Sequence, residues 1–101
     1  MVGIYQIRNI TNNKVYVGSS KNMANRRSTH RFNLRRGTHH STKLQKAWDE
    51  FGERNFIFET LEIITDKNKL LERERYYRDL LKSEDEGYNI KGLASDSSRK
   101  K

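Results

Sequence analysis

Two short apolar segments lie near the N-terminus, GIYQI at residues 3–7 and VYVGS at residues 15–19, with a polar run between them. Paired segments of this kind predict a β-hairpin. Asn12 and Asn13 can supply its turn, because Asn tolerates a positive φ better than most residues. We therefore expect two antiparallel strands at the start of the chain.

The pairing of these strands decides which side chains share a face. If the loop holds an even number of residues and no bulge intervenes, opposite residues have numbers whose sum is odd. Tyr5, Tyr16 and Gly18 then lie on one face, and the glycine leaves open space beside two phenols. The phenols either fill the core, as the aromatic residues of a hairpin usually do, or belong to a functional site. The hairpin alone leaves both interpretations open.

The positive charge of the chain is concentrated in its first half. The 101 residues carry a formal net charge of +8. Residues 1–50 hold ten Lys and Arg against two Asp and Glu, whereas residues 51–101 hold eleven of each kind. Because a concentrated positive surface attracts polyanions, the charge favours a nucleic acid as the partner of the first half. The alternative is that the basic half is ordinary solvated surface.

Length and composition exclude several classes of protein. A chain of this length predicts one domain. The absence of cysteine excludes disulfides and thiolate metal sites. Neither an apolar run of transmembrane length nor a signal peptide is recognisable, so we expect a cytoplasmic protein without a membrane partner.

The region after the hairpin is rich in arginine. Capping side chains at residues 19–22 and the glycine at position 37 predict a helix over residues 22–36. Arg26 and His30 are four residues apart and meet on one face of this helix, where they can bind a phosphate. The alternative is that His30 is an ordinary surface residue. We expect the other basic side chains of this region to contact the nucleic acid; they are Arg27, Arg31, Arg35, Arg36 and His39.

A second helix is predicted over residues 43–52, with Ser41 or Thr42 as its cap and Gly52 as its end. Its apolar residues have core spacing; they are Leu44, Ala47, Trp48 and Phe51. Residues 55–64 then alternate as a strand does. Its predicted first face holds Phe56, Phe58, Thr60 and Glu62.

The third helix, predicted over residues 66–82, contains a carboxylate in an unexpected position. The apolar side chains that predict its buried stripe are Leu70, Leu71, Tyr77, Leu80 and Leu81. Glu74 lies inside this stripe. A carboxylate that faces a core is costly unless it is paired or binds a metal. Glu74 is therefore either a metal ligand or half of a buried salt bridge, for instance with an arginine of the first helix. Residues 84–86, all acidic, are predicted to form a solvated turn.

Two triplets carry a family resemblance. GIY at residues 3–5 and YVG at residues 16–18 resemble the two half-motifs of the GIY-YIG nuclease family, with Val17 at the position of the usual isoleucine. The resemblance covers residues 3–91 and is greatest to the catalytic domain of phage-type homing endonucleases. The residues that match the functional positions of the family are Tyr5, Tyr16, Arg26, His30, Glu74 and Asn89.

The resemblance implies an α+β fold of the α/β-sandwich type, in which a small three-stranded antiparallel sheet is flanked by three or more helices. It also implies that the chain hydrolyses DNA with one divalent metal ion, Mg²⁺ with Mn²⁺ as a substitute, bound by Glu74. A single carboxylate suits Mg²⁺, which keeps several of its waters. We expect Tyr5 to act as the base with help from Tyr16 and His30, Arg26 to bind the phosphate, and Asn89 to orient other groups.

Several alternatives stay open at this point. The chain can be a non-catalytic basic module that binds DNA, or an interaction domain, although Glu74 and the basic half favour a nuclease. We expect a nuclease domain at residues 1–91 and a disordered basic tail at residues 92–101. The sequence does not decide between a monomer and a transient dimer, nor whether a separate recognition domain chooses the target in a phage or bacterial host.

Overall fold

A three-stranded antiparallel sheet, in which the first strand lies between the other two, forms the centre of the computed structural model, which describes residues 1–91. The strands are β1 Gly3–Asn9, β2 Val15–Ser20 and β3 Phe56–Ile63, and the helices are α1 Met23–Arg36, α2 Thr42–Phe51 and α3 Leu70–Leu80. This arrangement confirms the predicted α+β fold. The tail at residues 92–101 lies outside the described residues. Within residues 1–91, none of the helices has the length and apolar character needed to cross a membrane.

The hairpin has the predicted register. Tyr5 pairs with Gly18, and Ile7 pairs with Tyr16, so every pair sums to an odd number. Asn13 takes the positive φ of the turn, at 62°, and its N–H donates to the carbonyl of residue 9 at 2.8 Å. The two tyrosines and Gly18 therefore share one face of the sheet, as expected.

The helix ends follow the predicted capping signals. The side chain of Asn22 accepts from the N–H of residue 25 at the start of α1, and Gly37 ends that helix with a φ of 78°. The side chain of Ser41 caps α2 in the same way. Asp66 caps a short 3₁₀ turn, Lys67–Lys69, so that α3 begins only at Leu70, four residues later than predicted.

Two apolar clusters pack on opposite faces of the sheet. The cluster beneath α1 and α2 consists mainly of Tyr5, Ile7, Tyr16, Leu34, Leu44, Trp48 and Phe56. The cluster beneath α3 consists of Ile4, Val15, Val17, Ile64 and Leu70. Consecutive residues of β1 and β2 thus point to different helices, as the alternation of side chains along a strand requires.

The predicted buried stripe of α3 is wrong at three positions. Leu71, Leu80 and Leu81 are all exposed. The residues of this helix that turn inward are spaced four apart and are Leu70, Glu74 and Arg78. Two charged residues can hold inward positions because each neutralises the other. The predicted burial of Phe51, the last residue of α2, is also wrong, because Trp48 already closes the core there against the ring of Phe56.

The predicted faces of β3 hold only for its first half. The register between β1 and β3 shifts so that Leu61 is an extra residue, a β-bulge. The bulge reverses the alternation, and Glu62 receives hydrogen bonds from Arg73 and Tyr77 of α3. The prediction that Glu62 shares a face with the phenylalanines of β3 is therefore wrong.

Candidate active site

The phenol of Tyr5 occupies space that only a glycine leaves open. Tyr5 and Gly18 are directly opposite on β1 and β2. A Cβ atom at position 18 would meet the hydroxyl and the ring of Tyr5. The glycine of the YVG triplet therefore lets the Tyr5 hydroxyl lie against the backbone of β2, and the triplet and the tyrosine form one structural unit.

A chain of hydrogen bonds leads from the backbone to this hydroxyl. The N–H of Ser41 lies 3.0 Å from Nδ1 of His39, Nε2 of His39 lies 2.7 Å from Nδ1 of His30, and Nε2 of His30 lies 2.5 Å from the oxygen of Tyr5. A backbone N–H can only donate, so Nδ1 of His39 accepts. In a neutral imidazole the other nitrogen then carries the proton. His39 therefore donates to His30, and His30 donates to Tyr5.

The surroundings keep both histidines of this hydrogen-bond chain, His30 and His39, neutral. Burial lowers the pKa of His30 to about 2, and the neighbouring His39 and His40 act in the same direction. The charge of Arg26, on the preceding turn of α1, also lowers the pKa of His30. Burial lowers the pKa of His39 to about 3. The direction of donation is thus fixed across the neutral pH range, and the oxygen of Tyr5 is an acceptor.

Tyr16 lies among three imidazole rings. Its ring centroid is 5.3 Å from that of His30, 5.6 Å from that of His39 and 5.8 Å from that of His40, each in an edge-on arrangement. Its hydroxyl lies 2.7 Å from Nε2 of His40, whose own ring is exposed and stacks on His39. The second phenol therefore lies close to a histidine that reaches solvent.

Glu74 is buried, with only 2% of its surface exposed. The hydroxyl of Ser19 donates to its Oε1 at 2.5 Å, and Nη1 of Arg78 donates to its Oε2 at 2.9 Å. The carboxylate is therefore paired as well as suitably placed for a metal, and one arginine that pairs with it belongs to α3 itself. Ser19 follows Gly18 directly, so consecutive residues of β2 contact the carboxylate and the Tyr5 phenol.

Asn89 is bound to the edge of β2. Its Oδ1 accepts from the N–H of Val17 at 2.8 Å, and its Nδ2 donates to the carbonyl of Val17 at 3.0 Å. A side-chain amide thus pairs with one residue of an edge strand as a neighbouring strand would. Tyr88 continues this pairing, since its N–H donates to the carbonyl of Val15 at 2.9 Å.

The predicted nucleic-acid contacts fall into different surroundings. Arg27 is exposed on the first turns of α1, and Arg36 lies over the ring of an exposed phenylalanine. Arg35 instead forms a two-pronged ion pair with Glu53, at 2.6 Å for the closer contact, and Arg31 lies 3.9 Å from the same carboxylate. Both ring nitrogens of His39 have partners inside the protein, Nδ1 the Ser41 amide and Nε2 the ring of His30.

Comparison with known proteins identifies the architecture. A profile of the GIY-YIG catalytic domain matches residues 1–89. The chain belongs to the GIY-YIG family. The predicted resemblance is therefore confirmed, and so is the prediction that the chain is an endonuclease domain of this kind.

Similar proteins of this family include a phage enzyme. Intron-associated endonuclease 1 of Enterobacteria phage T4 is 43% identical over 91 residues, which cover 87% of this chain and 36% of that protein. The catalytic domain of homing endonuclease I-TevI has a TM-score of 0.84 at 42% identity, over 89% of this chain and 98% of that one. A glutamate-to-alanine mutant of the catalytic domain of intron endonuclease I-TevI has a TM-score of 0.82 at 42% identity, over 88% and 92%. The chain thus spans about a third of the phage protein and nearly all of the solved domain.

Four residues of the site were not predicted from the sequence. They are Ser19, His40, Arg78 and Glu84. Glu84 was expected in a solvated turn, but its carboxylate accepts from Nη2 of Arg78 at 2.6 Å and its side chain is only 15% exposed. Four-residue spacing between Glu74 and Arg78 was the one available signal, because such a pair meets on a helix face. The adjacent histidines carried no metal-site pattern, and their partners are distant in sequence.

Proposed function

We propose that this chain hydrolyses phosphodiester bonds of double-stranded DNA at a single active centre, with Tyr5 as the base that activates water. The observation that carries the proposal is the hydrogen-bond chain from the Ser41 amide through both buried histidines to the Tyr5 oxygen. A phenol with an ordinary pKa near 10 is a weak base at neutral pH. A hydrogen bond donated by His30 stabilises the phenolate, so that Tyr5 loses its proton more easily and can act as a base.

The other residues divide the remaining tasks. Arg26, half-buried one turn before His30, presents a planar guanidinium that can bind two oxygens of a phosphate. Tyr16 assists Tyr5, and its contact with the exposed His40 gives protons a path to solvent. Asn89 holds β2 in place rather than reacting, because both ends of its amide are bound to Val17.

Glu74 fits a divalent metal that keeps most of its own waters. Among residues 1–91, no three or more His, Asp and Glu side chains cluster as a metal cage would require. The Glu74 carboxylate is held by Ser19 from β2 and by Arg78 from α3, so its position is fixed from two elements of the fold. Mg²⁺ accepts one protein carboxylate together with phosphate oxygens, and Mn²⁺ is its natural substitute. When bound, such an ion would act as a Lewis acid on the phosphate.

The surface charge supports DNA as the substrate. Ten of the basic residues belong to the first half of the chain, which holds only two acidic residues. Arg27 and Arg36 extend the positive surface along α1, whereas Arg31 and Arg35 are partly neutralised by Glu53. Contacts of this kind recognise the phosphate backbone and not its sequence. We therefore propose that a separate domain chooses the target, with the whole protein acting in the cytoplasm of a bacterial host.

Cleavage of supercoiled plasmid tests the proposal, with Glu74→Ala as the variant and Glu72→Ala, two residues away on the exposed side of α3, as the matched control. Glu74→Ala should abolish cleavage in Mg²⁺ or Mn²⁺. It should retain or increase DNA affinity, because the variant lacks a carboxylate that repels the phosphates. Glu72→Ala should cleave at the wild-type rate. Equal cleavage by both variants would refute the metal site.

The same assay reports how many strands are cut in one encounter. One phosphodiester must be aligned at one centre, and the two antiparallel strands cannot both be aligned there. Nicked circles should therefore accumulate before linear DNA at limiting protein. Binding without any cleavage, by the wild-type chain as by the variants, would favour the alternative of a non-catalytic DNA-binding module. A rate that rises with the square of protein concentration would reveal a transient dimer.

A further inference from the structure

Arg78 is a fully buried cation between two acids. Only 2% of its surface is exposed. Nη1 donates to Oε2 of Glu74 at 2.9 Å, and Nη2 donates both to Oε2 of Glu84 at 2.6 Å and to the carbonyl of Ile90 at 3.1 Å. One guanidinium therefore connects α3 to the acidic turn and to the segment that follows Asn89.

This arrangement is costly as a purely structural device. Charged groups lose their hydration when they are buried, and apolar residues of similar size often stabilise a fold equally well. Nε of Arg78 has no hydrogen-bond partner among the described residues, so the guanidinium is not even fully satisfied. Burial raises the pKa of Glu84, but Arg78 and Arg75 together hold it below its ordinary value. Glu84 can thus remain charged beside Arg78.

The contacts of Arg78 fix the direction of the Glu74 carboxylate. Ser19 holds one oxygen from β2, while Arg78 holds the other from the next turn of α3. Bonds to both oxygens set the plane of the carboxylate, which a single bond would not do. Through the carbonyl of Ile90, the same guanidinium also fixes the segment whose Asn89 binds the edge of β2.

We propose that Arg78 is a positioning residue for the nuclease reaction: its two-pronged contact with Glu74 and Glu84 presets the Glu74 carboxylate for a divalent cation. The inference rests on the proposed function of Glu74. Residues that orient a metal ligand typically contribute tenfold to hundredfold to metal affinity or activity, about the size expected here. Lysine cannot replace arginine in this role, because one ammonium cannot take the two directions of the fork.

Four variants test the proposal by rescue. In Arg78→Lys the single ammonium is shared between two carboxylates, and kcat should fall by about tenfold to hundredfold with DNA affinity unchanged. Glu84→Gln removes the competing acid and should cost about threefold or less, because Arg78 retains Glu74. The double variant Arg78→Lys/Glu84→Gln should regain most of the lost kcat, since Glu74 is then the only carboxylate left for the ammonium. Arg75→Lys, which changes an exposed neighbour that also contacts Glu84, is the control and should match the wild type.

Binding of Mn²⁺ to the free protein gives a readout that does not depend on activity. In ¹⁵N-labelled protein, Mn²⁺ should broaden the amide signals of Ser19 and Glu74, and Arg78→Lys should require about tenfold more Mn²⁺ for the same effect. Urea denaturation of each variant shows which changes merely weaken the fold.

The outcomes separate this proposal from the one on which it rests. A wild-type chain that neither cleaves DNA nor shows Mn²⁺ broadening overturns both. A wild-type chain that does both, beside an Arg78→Lys variant with unchanged kcat and Mn²⁺ response, overturns only the positioning role. If the double variant loses activity in proportion to its lost stability, without rescue, Arg78 is structural and the proposal is wrong.

Discussion

Replacing His30 by phenylalanine removes the donor that the hydrogen-bond chain directs at the Tyr5 oxygen and keeps an aromatic ring in the same place. A hydrogen bond to a charged group contributes about 1.5–3 kcal/mol. Since one pKa unit corresponds to about 1.4 kcal/mol, the pKa of the Tyr5 phenol should rise by about 1–2 units. The phenolate fraction, and with it the cleavage rate at pH 7, should fall by about tenfold to hundredfold.

Single-turnover cleavage of a labelled duplex in Mg²⁺, measured from pH 6 to 10, checks this expectation. The pKa values of His30 and His39, at about 2 and 3, lie far below this range, so the two histidines do not shape the profile. The rising limb of His30→Phe should be displaced to higher pH and approach the wild-type rate at its alkaline end. The profile of His30→Gln, whose amide can still donate, should lie between those of the wild type and His30→Phe. Tyr5→Phe should be inactive throughout the pH range.

The shape of the profile decides whether the reasoning holds. A lower plateau with an unchanged midpoint would mean that His30 contributes to the rate without acting through the Tyr5 phenol. A midpoint displaced to lower pH would mean that His30 accepts from Tyr5, the reverse of the direction derived from the Ser41 amide. Cleavage by Tyr5→Phe at the wild-type rate would exclude Tyr5 as the base altogether.

Two further predictions concern stability. Because burial lowers the pKa values of His30 and His39, the unfolded chain binds more protons than the folded one below about pH 6.5. The contribution of the neutral histidines to the free energy of unfolding should be fully present above that pH and fall below it by up to about 1.4 kcal/mol per pH unit for each histidine. Urea denaturation at pH 7 and pH 5 measures the loss. Asn89→Leu leaves a backbone N–H and carbonyl of β2 unpaired, which should cost at least about 2 kcal/mol; a thermal midpoint equal to that of the wild type would contradict this assignment.

The parts of the fold that could be predicted depend on short-range signals. Asn13 in the turn, Asn22 and Ser41 as caps and Gly37 as a helix end each act within three or four residues. The register of the hairpin follows from the same turn. These elements were therefore readable without knowledge of the tertiary structure.

The parts that could not be predicted depend on contacts distant in the sequence. The bulge at Leu61 arises where β3 pairs with β1, more than fifty residues away. Arg78 can face inward on α3 because its guanidinium binds Glu74 of the same helix and also Glu84 and the Ile90 carbonyl of a later segment. His39 contacts His30, nine positions earlier, and accepts from the backbone N–H of Ser41, and no sequence pattern predicts this combination of partners.

The position of β2 at the edge of the sheet explains why the two halves of the site can meet. Gly18 and Ser19 point to opposite faces of the strand, so the Tyr5 phenol approaches beneath α1 and the Glu74 carboxylate approaches beneath α3. In a central strand, neighbours on both sides would separate these groups from a substrate. An edge strand leaves one side open but invites pairing with other chains. On that side the Asn89 amide pairs with Val17 and the N–H of Tyr88 donates to the carbonyl of Val15, so the segment that follows α3 protects this edge of β2.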